Sequence, residues 1–342
     1  RQCHQEAYDS FMVTAHNMAT MPGNRQTVLL DLKKEQNGFP FLNGSEVKIE
    51  MNADTVFETL YENDELQAAF PVDMVFGFKN GQTFLYWYGN NAFQLPVTYY
   101  HSERKLGTSP GYSILLPDFN RKIGRNCFEC HSSFVQILKE KKKTMNRNSL
   151  IYGIDCEACH GPAAEHVQYH TQHPNENKAM HIALEVNFSQ RQQLDRCAVC
   201  HCNDANQVKS RFLFKPGDAL SDYFLHTTDH ENVDVHGDQL GLLARSKCFL
   251  KGNKLTCSSC HGGHSNASEP ASYYSQKCME CHSKEKQNFC KATPAEGTTL
   301  EANCIDCHMP LQASQAINFY LSGDKKRTAQ QYRTHHIAIY KN

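Results

Sequence analysis

The chain predicts a mostly irregular fold, with short α-helices wrapped around a large non-protein filling, plus a small inserted antiparallel β subdomain. Three observations lead there. First, C-x-x-C-H occurs complete six times, at Cys127–His131, Cys156–His160, Cys197–His201, Cys257–His261, Cys278–His282 and Cys304–His308. Second, only 40% of the 342 residues are hydrophobic and the mean hydropathy is −0.60, so side chains alone make a thin core. Third, a strand-rich run from 25 to 105 holds no such motif.

C-x-x-C-H is the attachment signature of c-type haem. The two thiols add to the haem vinyl groups, and the adjacent His binds the iron from one face. Structural zinc needs four ligands in two matched half-sites, whereas each motif here carries its own His. A thioredoxin-like pair comes once, inside a βαβ pattern. Arg1-Gln2-Cys3-His4 reads as the end of a seventh motif. Either the preceding Cys lies just outside this numbering, or that haem hangs on one thioether at Cys3. The expectation is seven haems c, six of them by complete motif. The thioether positions are Cys3, Cys127, Cys130, Cys156, Cys159, Cys197, Cys200, Cys257, Cys260, Cys278, Cys281, Cys304 and Cys307. The proximal iron ligands are His4, His131, His160, His201, His261, His282 and His308. Each porphyrin is a flat apolar body, the mass that the polar chain lacks.

Along the chain, Tyr8, Phe11, Met12 and Ala15 fall at helical spacing and predict a helix over 5–19, ended by Pro22-Gly23. Strands are predicted at Thr27–Leu32, Glu46–Met51, Thr55–Tyr61, Val72–Phe78 and Thr83–Tyr88, with a hairpin turn at Lys79-Asn80-Gly81-Gln82. Phe93–Tyr100 is a sixth strand, demoted to an edge or a break by Pro96. Helices follow at Phe128–Lys142, Ala163–Gln172, Ser189–Cys200, Asp238–Ser246 and Tyr273–Lys286, with Gly262-Gly263, Pro270 and Pro294–Gly297 between them. The segments are 1–24 (an N-terminal haem segment), 25–112 (the β-rich insert, expected to shield one end of the haem array) and 113–342 (the haem domain).

The formal net charge is −1, so nothing drives the chain towards nucleic acid. Lys139-Glu140-Lys141-Lys142-Lys143 with Arg147 is locally basic and reads as a solvated helix end or loop in preference to the alternative, a partner-docking patch. No stretch reaches the roughly 18 apolar residues that span a bilayer. Covalent haem attachment is completed outside the cytoplasm, so the expected location is periplasmic or extracellular, with a leader removed before residue 1. Cys202, Cys248 and Cys290 lie outside the motifs. In an oxidising compartment Cys248 and Cys290 are the expected disulfide, with Cys202 left over.

Of 19 histidines, seven are proximal by motif and twelve remain. An iron held by two His is six-coordinate and low-spin and suits electron transfer; catalysis needs an open position. His264 and His166 follow proximal His261 and His160 too closely to reach the far face of the same haem, so each is expected to serve a neighbour. His16, His236 and one of His335 or His336 complete the leading distal candidates. His101, His170, His173, His181, His226 and His230 rank lower, and Met ligation is the alternative.

Four segments resemble a known family. Cys3-His4 followed by Tyr8, Phe11 and Thr14-Ala15-His16 is similar to the opening of the multihaem cytochromes related to the tetrahaem cytochrome c of nitrifying bacteria, the cytochrome c554-like group. Cys156–Pro162 with Glu165-His166-Val167 resembles that family's C-x-x-C-H-G-P-x-x-x-H segment. Cys257–His264 resembles its C-x-x-C-H-x-x-H segment, and Cys304–Pro310 its closing C-x-D-C-H-M-P. The likeness covers 1–20 and about 113–342. It implies a multihaem c-type cytochrome with local haem stacking, and distal roles for His166 and His264. The tetrahaem members lack the extra haems and the insert, so the path of the haem array does not carry over.

Three functions compete. The first is an electron carrier passing electrons among haems and exchanging them with redox partner proteins or other cytochromes. The second is a subunit of an extracellular filament, with a distal His donated between copies by self-association. The third is an oxidoreductase acting on a small nitrogen or sulfur compound; no complete motif here ends in the Lys that marks the catalytic haem of pentahaem nitrite reductases.

Overall fold

The computed structural model describes residues 3–31, 37–202, 207–225, 233–252, 254–266, 268–285, 289–293 and 299–340. The chain divides into two compact units. A β-rich unit holds Met12–Asp155 and Gln315–Gln330; a motif-rich unit holds Arg1–Phe11, Cys156–Ser314 and Gln331–Asn342. Residues 113–155, grouped above with the haem domain, fall in the β-rich unit.

Helix α1 (Gln5–Met12) is shorter than its periodicity predicts. Asn17 ends it: its Nδ2 donates to the Met12 carbonyl at 3.0 Å and its N–H donates to Thr14 Oγ1 at 3.3 Å, so the chain turns instead of adding helix.

The β-rich unit begins with β1 (Thr20–Pro22), β2 (Gly38–Pro40), β3 (Ser45–Asn52), β4 (Thr55–Glu62) and β5 (Glu65–Pro71). It continues with β6 (Met74–Phe76), β7 (Gly81–Tyr88), β8 (Asn91–Tyr100), β9 (Lys105–Thr108) and β10 (Arg121–Lys122). One antiparallel sheet has the order β2-β3-β4-β5; the other runs β1-β6-β7-β8-β10, with β9 also on β8. Alternating residues from both sheets, among them Val47, Ile49, Val56, Phe84, Leu95 and Val97, share one core. Period-2 patterning buries one face of β3, while β6 and the second half of β8 are buried throughout, and the two sheets close on the shared core as a sandwich.

Pro96 does not break β8. The register slips from Thr83↔Thr98 to Leu85↔Gln94, and the bulge around Pro96 is satisfied by side chains. Buried Glu58 accepts from Val97 N–H at 3.2 Å, and Ser109 Oγ donates to the Leu95 carbonyl at 2.7 Å. The strand predicted from Thr27 is absent over 27–31, and Leu32 lies outside the described residues. Asn24 Oδ1 accepts from Gln26 and Thr27 N–H groups, capturing that backbone in a turn.

The helix predicted over Phe128–Lys142 is corrected. Helix α2 (Arg125–His131) stops at the motif His, and the chain continues as β11 (Ser132–Lys139), paired antiparallel with β12 (Thr144–Tyr152). The run Phe134-Val135-Gln136-Ile137-Leu138 is rich in β-branched and aromatic residues, and pairing with β12 outweighs helix propensity once the motif ends.

The motif-rich unit carries α3 (Glu157–His160), α4 (Ala164–Gln172), α5 (Gln190–His201), α6 (Gln239–Ala244), α7 (Lys247–Lys251), α8 (Ala271–Met279) and α9 (Ile305–His308). Ser189 and Gln192 form a reciprocal capping box at the start of α5, and Asp238 caps α6 through Gly241 N–H. The predicted helix at 273–286 ends at Met279, and Lys286 and Pro294–Gly297 lie outside the described residues. A hairpin of β13 (Leu311–Tyr320) and β14 (Arg327–Arg333), unforeseen in the sequence, is divided between the units. Cys248 and Cys290 are not joined, so the expected disulfide is not formed; Cys202 is buried in the cluster around α5.

Candidate haem sites

One turn of helix explains the motif. Residues i, i+3 and i+4 share a helix face, so both thiols and the His of C-x-x-C-H point the same way. The turns are present: the N–H of His160, His261, His282 and His308 donates to the carbonyl of the first Cys of its own motif at 2.9–3.0 Å. The motifs of His131 and His201 lie at the ends of α2 and α5. Cys3, Cys127, Cys156, Cys159, Cys281 and Cys307 are exposed, and the other motif thiols are half-buried.

Several motif imidazoles are braced through Nδ1. His160 donates to the Ala183 carbonyl at 3.0 Å, His308 to Ala338 at 2.8 Å and His131 to Ala19 at 3.3 Å. His201 Nδ1 lies 3.2 Å from Gln239 Oε1. His166, a distal candidate, donates to the Met180 carbonyl at 2.7 Å. Committing Nδ1–H to an acceptor leaves the lone pair on Nε2, the tautomer and orientation that iron ligation needs.

Within the motif-rich unit the structure brings three motif His to three distal candidates. His4 and His166 rings lie 6.2 Å apart at 20°, His160 and His264 5.9 Å apart at 22°, and His261 and His335 6.0 Å apart at 40°. Metal–imidazole nitrogen bonds are about 2 Å, so one metal bound through Nε2 on both sides holds the ring centres about 6 Å apart. The donor set therefore fits haem c, whose iron these imidazole pairs would hold. Burial, followed by the charges of His261 and His201, pushes the His335 imidazole down to about 4. It is thus neutral, the form that binds metal.

The pairs are stitched in sequence. The partner of His4 follows the motif of His160, and the partner of His160 follows the motif of His261. The partner of His261 sits in a closing segment that also braces His308. Arg333 fixes that segment: its guanidinium donates to the Ile305 and Met309 carbonyls at 2.9 Å each and meets Asp306 at 2.7 Å. Ser246 Oγ donates to the His335 carbonyl and accepts from Ile337 N–H.

In the β-rich unit His131 stacks on Phe76 at 4.9 Å and 4°, and Phe128 packs against Phe76 and Trp87. The 16–20 segment docks there. Thr20 Oγ1 donates to the His131 carbonyl, and the His16 carbonyl accepts from Ile154 N–H at 2.9 Å. Gly153, at φ +63°, allows this approach, because a Cβ would collide with the Asn17 carbonyl.

His236 lies on the loop before α6, with its ring 5.4 Å from Tyr332. The remaining histidines have other company: His173 and His181 sit against Tyr169, His101 against Tyr99 and His336 against Tyr340. His226 and His230 lie outside the described residues. Sequence reasoning missed the bracing carbonyls of Ala19, Met180, Ala183 and Ala338, which no side-chain pattern announces, and it missed Arg333.

The family model "Cytochrome c554 and c-prime" matches residues 111–161, which hold the first two complete motifs. The chain is 22% identical over 201 residues to "Multiheme cytochrome MtrA" of Shewanella baltica (strain OS185), covering 56% of this chain and 47% of that protein. It thus spans about half the length of that curated relative. The solved "Outer Cell Wall Cytochrome OcwA" is similar in fold, with a TM-score of 0.55 and 13% identity over 98% of this chain and 77% of that one. An undecaheme cytochrome from the S-layer of Carboxydothermus ferrireducens gives a TM-score of 0.30 at 17% identity, over 70% of this chain and 44% of that one, and adds nothing to the fold argument. Six complete attachment motifs, these relatives and this fold define a multihaem c-type cytochrome. Its cofactor is haem c. Among the described residues no helix is long and apolar enough to cross a membrane.

Proposed function

We propose that the chain transfers electrons through about seven haems c, most of them with two axial His, and that it is a carrier, not an enzyme. When bound, haem c supplies reversible one-electron redox chemistry. The chain's residues do the rest. The motif cysteines would anchor the haems; His4, His131, His160, His201, His261, His282 and His308 would each hold one iron, and His166, His264 and His335 would complete the first, third and fifth of the seven sites in chain order. His16, on the segment docked at His131, completes that site, and His236 serves His201 or His308.

The observation that carries this reading is the set of three imidazole pairs at 5.9–6.2 Å. A metal held on both sides has no position for a substrate. His335, one of the terminal histidines that a filament could share between copies, lies instead beside His261 of its own chain, which favours the carrier over the filament. The working location is extracytoplasmic, and the partners are redox proteins, other cytochromes among them.

The test is haem content by pyridine haemochrome and mass, then the reduced optical spectrum before and after carbon monoxide. The expected result is about seven haems with no CO shift, and a shift worth about one haem in His335→Ala. A CO shift in the unaltered protein would reveal an open site and turn the reading to an enzyme.

A further inference from the structure

The β11–β12 hairpin gathers positive charge beside a haem motif in a way that chain-wide charge balance conceals. The whole chain carries −1. At the turn of this hairpin Lys139, Lys141, Lys142 and Lys143 are all exposed. Lys143, at φ +48°, folds back so that its Nζ donates to the Lys122 carbonyl at 3.1 Å. That bond brings the tip against β10, whose two residues are Arg121 and Lys122. The acids of this face offset only a small part of the charge. Glu129 and Glu140 both bind Arg125, each at 3.3 Å, which leaves one negative charge against the four lysines, Arg121 and Lys122.

The same hairpin carries apolar surface. Phe134 and Ile151 pair across the strands and are 40% and 48% exposed; Leu138 and Tyr152 are 45% and 40% exposed. Exposed apolar residues next to charged ones match the anatomy of a protein interface, a water-excluding centre with a polar rim. A lipid or a simple polyanion needs only the charges. The arm is also fixed in place: β11 starts at the residue after His131, and α2 is anchored through Phe128 on Trp87 and Phe76, with Cys127 exposed.

We propose that this hairpin is the docking arm for an acidic redox protein, which exchanges electrons at the Cys127–His131 site. The inference rests on the electron-transfer reading above and names the partner class and port for it. In each exchange one electron leaves the partner's reduced centre and takes one haem iron from ferric to ferrous, with no atom transferred; the reverse direction balances likewise.

The test uses the haem-loaded full chain and a fully reduced acidic flavodoxin as probe. Rates are followed by stopped flow, and the affinity of the oxidised probe by calorimetry, from about 10 to about 500 mM ionic strength. Neutralising Lys139, Lys141, Lys142 and Lys143 to Gln is expected to lower association rate and affinity about tenfold at low salt and to flatten the salt dependence. The fourfold Arg variant should restore both, while dithionite reduction and haem content stay unchanged. Equal rates and affinities in the Gln variant, or binding to phosphatidylglycerol vesicles that is lost in the variant without any effect on flavodoxin, would overturn the docking arm. A chain that takes up no haem would overturn the electron-transfer reading itself; a loaded chain indifferent to salt removes only this proposal.

Discussion

The two units make their interiors from different materials. In the β-rich unit Phe39, Val47, Ile49, Val56, Phe84 and Leu95 are buried to 1% exposure or less, in a core drawn from two sheets. The motif-rich unit, excluding the divided hairpin, has short helices, and among the described residues a small side-chain cluster is centred on Leu194, Ala198, Leu220 and Phe224 around α5. It also holds five of the six complete motifs and Cys3-His4. The sandwich can exclude water with its own side chains. The motif-rich unit carries most of the motif thiols and imidazoles, and on the proposed reading haem c would add the apolar mass that its side chains lack.

The sharpest way to break this contrast is to withhold haem. In full-length protein made without haem attachment, hydrogen exchange should show the motif-rich unit exchanging nearly freely while β3, β4, β7 and β8 stay protected. Equal protection of both units would refute the contrast. Next in size, Phe84→Ala should cost the β-rich unit about 3–5 kcal/mol in denaturant unfolding, with the haem spectrum of the other unit unchanged.

A smaller effect is expected in the closing segment of the motif-rich unit. Arg333→Ala removes bonds that involve a charged group and should loosen residues 334–338 by about 1.5–3 kcal/mol, read as faster amide exchange there. The smallest concerns Glu58, fully buried between the sheets, with Oε1 lacking a hydrogen-bond partner. Burial holds its carboxyl well above the ordinary value of 4.5, opposed only in part by the Val97 N–H. The folded state therefore keeps a proton that the unfolded chain releases. Its contribution to stability is full below pH 4.5 and is lost as pH rises towards the raised folded value. The β-rich unit should lose at most about 1.4 kcal/mol per pH unit across that window. Glu58→Gln should flatten this slope; an unchanged slope would show that Glu58 is not its source.

Several features are legible in the sequence. Strands β3, β4 and β7 follow from the run of strand-forming residues, and α4 and α5 lie where the sequence predicts helices. The separation of a strand-rich run from the clustered motifs was also legible. Other features were not. The turn at Asn24 and the short α1 come from side chains capturing nearby backbone, which competes with propensity at a cost no pattern displays. Hairpins β11–β12 and β13–β14 alternate too irregularly to stand out.

The sequence by itself determined the chemistry: spacing within C-x-x-C-H puts two thiols and an imidazole on one turn, and this local geometry needs nothing distant. It also narrowed the distal candidates, because a His three or six residues past a motif cannot round its own haem. Which ring meets which was decided only by tertiary structure. His4 reaches His166 across 162 positions and His261 reaches His335 across 74, both within one unit. Such partners are chosen by how the chain packs and by which carbonyls turn each ring. Those are long-range properties, and neither composition nor spacing encodes them at any single residue.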